Sequence, residues 1–431
     1  MDTIHITSAW TDIVQYFFPV FTAPTARIFL NLVTGWILCT TRKTITRILP
    51  LADPQSIHAH DAYHRFFPDA VWASSQLWKH LAILLVRIFC PRGIILLDVD
   101  DTVFHRTGKK VNGAGWWRDA VRSTTSQVVY AWGLNLVIVT LRIHPPWKGP
   151  PIGLPINMRV HRKNGPTLIE LAEQMLQEVT QWFPERRFRV HCDGFYAPLA
   201  GCGIGRTHIL SRMRRDANIY ELPAKRRTKK RGRPRKRGKK LGCPQHMSRH
   251  VGSWKKVKVY ERGKVKKRLL YSRIVLWYRV RQKPVLLVIS RDPKGKEKDS
   301  FFFTTDITMQ PKELLESYSG RWCIEETIKQ TKQVLGGHQL QTHKRIGPER
   351  AAMVSLWLYS TVWLWFLSQR KSCRLMLTVP WYSRKSHPSF ADAICCLRRR
   401  LWRDRIKMMF GKRIAHDKNT EFLVEALSSA A

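Results

Sequence analysis

The chain has 431 residues, enough for two or three domains and a sizeable core, and its 44% apolar fraction is ordinary for a globular protein. Its 75 Lys and Arg face only 31 Asp and Glu, for a net charge of +44 and a pI near 10.5. That balance does not suit a small-molecule enzyme. It calls for a polyanionic partner, and with 17 Trp spread among the basic residues, nucleic acid fits better than an anionic membrane surface.

Nine cysteines, with neither a CxxC pair nor Cys/His zinc spacing, read as reduced thiols of a cytosolic protein. No basic segment precedes an apolar run at the N-terminus, so no signal peptide is expected. Residues 16–40 are interrupted by Pro19, Pro24 and Arg27. Residues 352–368 are at the short limit for a membrane span. Close behind a polar helix, they read as a buried core helix, and no membrane partner is expected.

In chain order, residues 1–90 read as largely helical, with turns near Pro50–Pro54 and Pro68. Trp10, Trp36, Trp72 and Trp78 among basic residues suit a DNA-binding region, and equally a structural cap. Residues 91–215 change pattern. Ile94–Asp100 reads as a buried strand ending in carboxylates. Val128–Leu134 and Leu136–Ile143 read as two strands with a turn at Gly133–Asn135. Thr167 and Glu170 form a capping-box pattern that opens an amphipathic helix to Phe183. Arg187–Cys192 is a short strand ending at Asp193.

Residues 216–300 read as an insertion. Lys225–Lys240 holds twelve Lys or Arg in sixteen positions and no acid. So dense a block self-repels when free. Its Arg231-Gly232-Arg233-Pro234 core, followed by Arg235, resembles an AT-hook, whose arginines enter the minor groove of A·T-rich DNA. A solvated loop on phosphates is the other reading. Trp254–Tyr260, Lys264–Val280 and Val285–Ser290 read as an inserted β-sheet, turning at Arg262-Gly263.

Residues 301–370 carry the most informative stretch. Pro311–Leu335 reads as one helix, with Pro at its start and Gly336-Gly337 at its stop. At about 100° per residue, Tyr318, Arg321, Glu325, Lys329 and Lys332 share one stripe. Glu326 lies about 100° away, so Glu325 is the candidate ligand. A generic Glu/Lys helix would carry such pairs on a solvated face. Residues 371–431 form a basic tail with Arg398-Arg399-Arg400 and Lys407, which could touch DNA, a partner subunit or only water.

Tyr-x2-Arg-x3-Glu-x6-Lys at Tyr318, Arg321, Glu325 and Lys332 resembles the YREK signature of bacterial insertion-sequence transposases of the insertion-sequence-four type. The strand order, with acids at strand ends, resembles the start of an RNase H-like fold. The family resemblance implies an α/β protein. It would have an RNase H-like catalytic core, an inserted β domain between the second and third acids, and a helical N-terminal region. Asp193-x-x-Tyr196 resembles the family's second motif, and Asp100-x-Thr102 its first. The resemblance implies Asp100, Asp193 and Glu325 as catalytic metal ligands, with Tyr318, Arg321 and Lys332 on phosphates near the cut. Lys329, Arg231, Arg233 and Arg235 join them as candidate DNA contacts.

Phosphodiester cleavage of this kind needs carboxylates that hold two divalent cations, and hard oxygen ligands favour Mg²⁺ or Mn²⁺. The implied activity is cut-and-paste transposition: binding the element's terminal inverted repeats, cleaving strands and joining them to target DNA. The resemblance further implies a homodimer in a synaptic complex, acting on the nucleoid in a bacterial cytoplasm. Ser300–Thr304 carries no Trp where some relatives hold a flipped base.

The first acid is open among Asp98, Asp100 and Asp101. Asp98 shares the Asp100 face of the strand, and Asp101 points away. The same stretch, ILLDVDDTV, resembles the first motif of haloacid-dehalogenase-type phosphatases. There Asp98 would be nucleophile and Asp100 general acid/base. No acidic pair for their metal motif follows downstream. A catalytically inactive DNA-binding protein is the remaining alternative.

Overall fold

The structure, a computed structural model, describes residues 9–119, 122–124, 126–223, 236–280, 283–369, 385–411 and 417–429. Arg231, Arg233 and Arg235, and most of the basic block, lie outside the described residues.

Helices α1 (Trp10–Gln15), α2 (Ala23–Leu38), α3 (Ile45–Ala52), α4 (His60–Phe66) and α5 (Ser74–Phe89) precede the first strand. Then come β1 (Ile95–His105), β2 (Gly115–Arg118), β3 (Tyr130–Ile143) and β4 (Ile152–His161). β3 is antiparallel to β1 on one side and to β4 on the other. Helix α6 (Leu168–Trp182) follows, opened by the Thr167–Glu170 capping box. It leads to β5 (Phe188–Cys192), parallel to β1, and β6 (Thr207–Arg212), parallel to β5.

Two expectations fail in this region. Gly133 is no turn: β3 runs straight through it. A Cβ at Gly133 would run into the Phe104 carbonyl oxygen, so glycine serves the close approach of two strands rather than a reversal. The second strand of the expected pair is instead β4, which holds Pro155 and bulges at Ile156, opposite Val139/Thr140. Proline is tolerated there because the strand's register is already broken.

The chain continues with β7 (Ile219–Tyr220), β8 (Lys240–Gly242) and α7 (Pro244–Arg249). The hairpin strands β9 (Lys255–Glu261) and β10 (Lys264–Trp277) turn at Arg262-Gly263, both at positive φ. Strands β11 (Pro284–Arg291) and β12 (Ser300–Thr304) complete the set. The inserted strands do not make a separate sheet. β12 pairs antiparallel with β6, so among the described residues all twelve strands form one sheet. A second, smaller core gathers Val259, Leu286 and Val288 from these strands, Leu210 of β6, and Phe302 and Leu314 that follow.

Helices α8 (Pro311–Ser319), α9 (Trp322–Gln333) and α10 (Gly347–Ser368) follow. The expected single helix over 311–335 is thus broken at Gly320-Arg321. α10 is long and apolar enough to cross a membrane, but 89% of its apolar window is buried inside the fold, as expected of a core helix.

The N-terminal helices share the main core, which runs from Trp10 to Leu397. The Trp36 indole donates to the Leu335 carbonyl at 2.8 Å. Arg350 on α10 donates to the carbonyls of Phe67, Ala70 and Trp72 at 3.1, 2.8 and 2.6 Å. Residue 90 is therefore not a boundary between cores. Nor is the C-terminal region a loose tail. Helix α11 (Phe390–Phe410) buries Phe390, Ile394 and Leu397 in the same core, and α12 (Lys418–Ser429) packs on it. Arg398, read from sequence as part of a basic run, is buried and donates to the Ile37 carbonyl at 2.7 Å.

Candidate active site

The site grows from the parallel pairing of β1 and β5. Val99 lies opposite Cys192, so the next residues, Asp100 and Asp193, emerge side by side. Asp193 closes its own turn, its Oδ1 accepting from the backbone N–H groups of Phe195 and Tyr196 at 3.0 and 3.3 Å. That turn brings the Tyr196 hydroxyl back to Asp101, to which it donates at 2.9 Å. Asp101 points away from Asp100, as strand alternation requires, yet still feels Asp193.

The third acid arrives from α9. Arg321, at the helix N-terminus, donates through Nη1 to Asp100 at 2.9 Å and through Nη2 to Glu325 at 2.6 Å. One guanidinium therefore bridges the strand acid and the helix acid. Glu326 faces elsewhere, taking Gln330 and Lys329 as partners.

The electrostatics follow from this crowding. Burial, together with the charges of Asp101 and Asp193, pushes the Asp100 carboxyl up to about 7, against the downward pull of Arg321. Burial raises Asp101 too, with Asp193 adding to it and Tyr196 opposing. Arg321 is held well above its ordinary value, its carboxylate partners outweighing its burial. Tyr318 packs its ring 4.9 Å from Phe302, with the Arg212 and Arg321 guanidiniums each 5.9 Å from its centre. Lys332 is half-buried and donates to Thr102 at 2.7 Å, and desolvation lowers it to about 8.

The structure thus gathers Asp100, Asp193, Arg321 and Glu325, with Tyr318 and Lys332 on either side. It leaves Lys329 exposed on the outer part of the helix, 3.8 Å from Glu326. Arg231, Arg233 and Arg235 are not among the described residues.

Asp98 has a different role from its neighbours. It is fully buried, and both its oxygens are taken by Arg142, Nε at 3.0 Å and Nη2 closer still. The Cys323 thiol also donates to it, at 3.2 Å. His191 completes the network. Its Nδ1 donates to the Leu97 carbonyl at 3.0 Å, so its Nε2 accepts from the Ser317 hydroxyl at 2.7 Å. Burial, with Arg142 nearby, holds His191 far below its ordinary value, and the ring is neutral. An aspartate closed in this way has no free face for a phosphate ester, which removes the phosphatase reading of Asp98.

Sequence reasoning missed this network. Its one sequence signal is an Arg in the apolar run of β3, where a buried cation requires a buried acid. The network also explains the helix break. Arg142 Nη1 donates to the Ser317 carbonyl at 2.5 Å, a group that α8 would otherwise offer to residue 321. The chain turns tightly there, Cys323 and Ile324 donating to the carbonyls of Gly320 and Arg321. The turn sets the bearing of Arg321 and Glu325.

Among the described residues, no group of three or more His, Cys, Asp or Glu side chains stands in a metal-holding arrangement. The Arg321 guanidinium lies between Asp100 and Glu325. The donors around it are all carboxylate oxygens, and Asp100, Asp101 and Asp193 crowd their negative charges. That chemistry fits a hard divalent cation.

The family described as DDE superfamily endonuclease matches residues 16–282. The matched span contains Asp100 and Asp193 and ends before the Tyr318–Lys332 motif. No curated protein matches the chain.

Proposed function

Because the chain belongs to the DDE superfamily of endonucleases, a family of nucleases acting on DNA, we propose that it is a transposase of the insertion-sequence-four type. The observation that carries this reading is the side-by-side emergence of Asp100 and Asp193, joined to Glu325 through Arg321.

In this reading β4-β3-β1-β5-β6, three antiparallel strands and two parallel ones, is an RNase H-like core. Asp100, Asp193 and Glu325 hold divalent cations, Mg²⁺ or Mn²⁺. Those cations would neutralise charge on the scissile phosphate and activate the attacking oxygen. Arg321, which bridges Asp100 and Glu325, would turn one or both fork arms to the phosphate when DNA arrives. Tyr318 and Lys332 bind the phosphates on either side of the cut. The Arg142–Asp98 pair fixes the turn that aims Arg321 and Glu325.

The substrate is double-stranded DNA: the inverted repeats at the element's ends, then a target duplex for strand transfer. A homodimer would hold two ends in one synaptic complex in a bacterial cytoplasm. Net charge +44 supports a long DNA path.

The test is cleavage of duplexes that carry the element's own ends. Asp100→Ala, Asp193→Ala and Glu325→Ala should each abolish Mg²⁺-dependent cleavage, with DNA affinity changed less than about threefold, since each removes a metal ligand and not a phosphate contact. Full cleavage by any one of them would remove that residue from the site.

A further inference from the structure

Beyond the last residue of β1 lies a basic cavity of about 730 Å³. Arg42, His105, Arg106, Lys109, Lys110 and His338 line it, and its described lining includes no Asp or Glu. Arg106 is its unusual member. It is nine-tenths buried, and Nη1 donates to the carbonyls of His338, at 3.1 Å, and Leu340. Among the described residues, its Nε and Nη2 are buried without a hydrogen-bond partner, and so is His338 Nδ1.

A buried guanidinium with no counter-ion is costly, and proteins normally pair it. Here burial alone draws Arg106 down to about 10. Burial and the positive charges of Arg106 and Lys332 hold His338 below its ordinary value. His105 is held down by burial and Lys332, against the opposing pull of Asp119. A group with several acceptor oxygens and two negative charges, held in the cavity by the exposed Arg42, Lys109 and Lys110, would relieve this repulsion.

We propose that this cavity binds a phosphate group, and that on DNA the group is a backbone phosphate several nucleotides from the cut. Six residue steps lead from Asp100 to Arg106, just past the end of β1, about 20 Å at about 3.3 Å per residue. That corresponds to about six base pairs of duplex. Lys332 stands between the two places, bonded to Thr102 and felt by both His105 and His338. The DNA assignment rests on the endonuclease reading. Phosphate binding by the cavity does not.

The experiment titrates the full-length protein with inorganic phosphate at constant ionic strength and follows the His338 and His105 ring resonances. Binding should shift both rings and raise their titration midpoints. The exposed triple variant Arg42→Ala/Lys109→Ala/Lys110→Ala should weaken phosphate binding by about tenfold or more. Arg106→Lys, which keeps the charge but not the fork, should weaken it as well. On duplex DNA the triple variant should bind about tenfold more weakly, and its salt slope should fall by about 1 to 3.

Phosphate binding with unchanged DNA affinity and salt slope would assign the cavity to a free phosphate compound and overturn the DNA part. Absence of any phosphate effect on either ring would overturn the whole proposal. Failure of the endonuclease reading would look different: the rings would respond to phosphate while the wild-type protein left DNA uncut.

Discussion

At the residue scale, Lys332 makes the sharpest statement about pH. Half-buried beside Thr102, it is lowered by desolvation to about 8, so it is charged below that pH and neutral above. A phosphate would favour the charged form. DNA affinity should therefore be highest below pH 8 and decline by about tenfold as pH rises past it, the worth of one charge-assisted hydrogen bond. Lys332→Arg stays charged throughout and should flatten the decline. Equal pH profiles for the two proteins, measured by DNA titration from pH 6.5 to 9.5 (on the order of three units), would take Lys332 off the phosphate path. The same scale shows what a sequence can carry. Asp100 stood out in the sequence as an acid closing an apolar run, although β1 continues past it to His105. Its separation from Asp98 was not legible. The two share a face, and only Arg142, folded onto Asp98 from a neighbouring strand, ties that acid up inside the fold while Asp100 meets Arg321.

At the element scale, the broken helix matters most. Gly320 and Arg321 have ordinary right-handed dihedrals, so no backbone rule marks the break in the sequence. Its cause is the Arg142 guanidinium, inserted where the helix ladder would run. The spacing of Tyr318, Arg321, Glu325 and Lys332 was read on one continuous helix. Their convergence survives the break because the turn is tight and keeps the same helical sense. A Cβ at Gly320 would lie 2.6 Å from Arg142 Nη1. Gly320→Ala must then displace either the arginine, buried against Asp98, or the turn. It should cost about 1–3 kcal/mol in urea unfolding and lower cleavage well beyond any loss of DNA affinity, because Glu325 shifts while the basic surface stays. Wild-type cleavage in this variant would show that the turn does not aim the acid. Sheet elements were legible where apolar runs were clean, as at the start of β1 and in β11. Glycine and proline, the usual marks of loops, concealed β3 and β4 because here they serve a close strand approach and a bulge.

At the scale of the whole molecule, the sequence suggested modules and the structure shows them fused. The inserted strands extend the sheet that carries the acids, through the pairing of β12 with β6. The first 90 residues wrap that sheet and α10. Composition could not reveal this, since a helix rich in Trp and Arg looks alike whether it meets DNA or a neighbouring helix. The buried partners decide it: Trp36 reaches the end of the Glu325 helix region at Leu335, and Arg350 holds three carbonyls between Phe67 and Trp72. Removing residues 1–90 would uncover Trp357, whose ring packs against Trp10, Phe17 and Phe29, and would leave the buried Arg350 and Arg398 without acceptors. A chain starting at residue 91 should therefore lose its cooperative thermal transition and expose apolar surface, seen as strong binding of a hydrophobic dye. Residues 1–90 alone should likewise show no cooperative unfolding, because the apolar faces of α2 and α5 would have nothing to cover them. A separable DNA-binding module would behave in the opposite way. The fragment would melt cooperatively and bind duplex DNA, and the truncated chain would stay folded and lose only affinity.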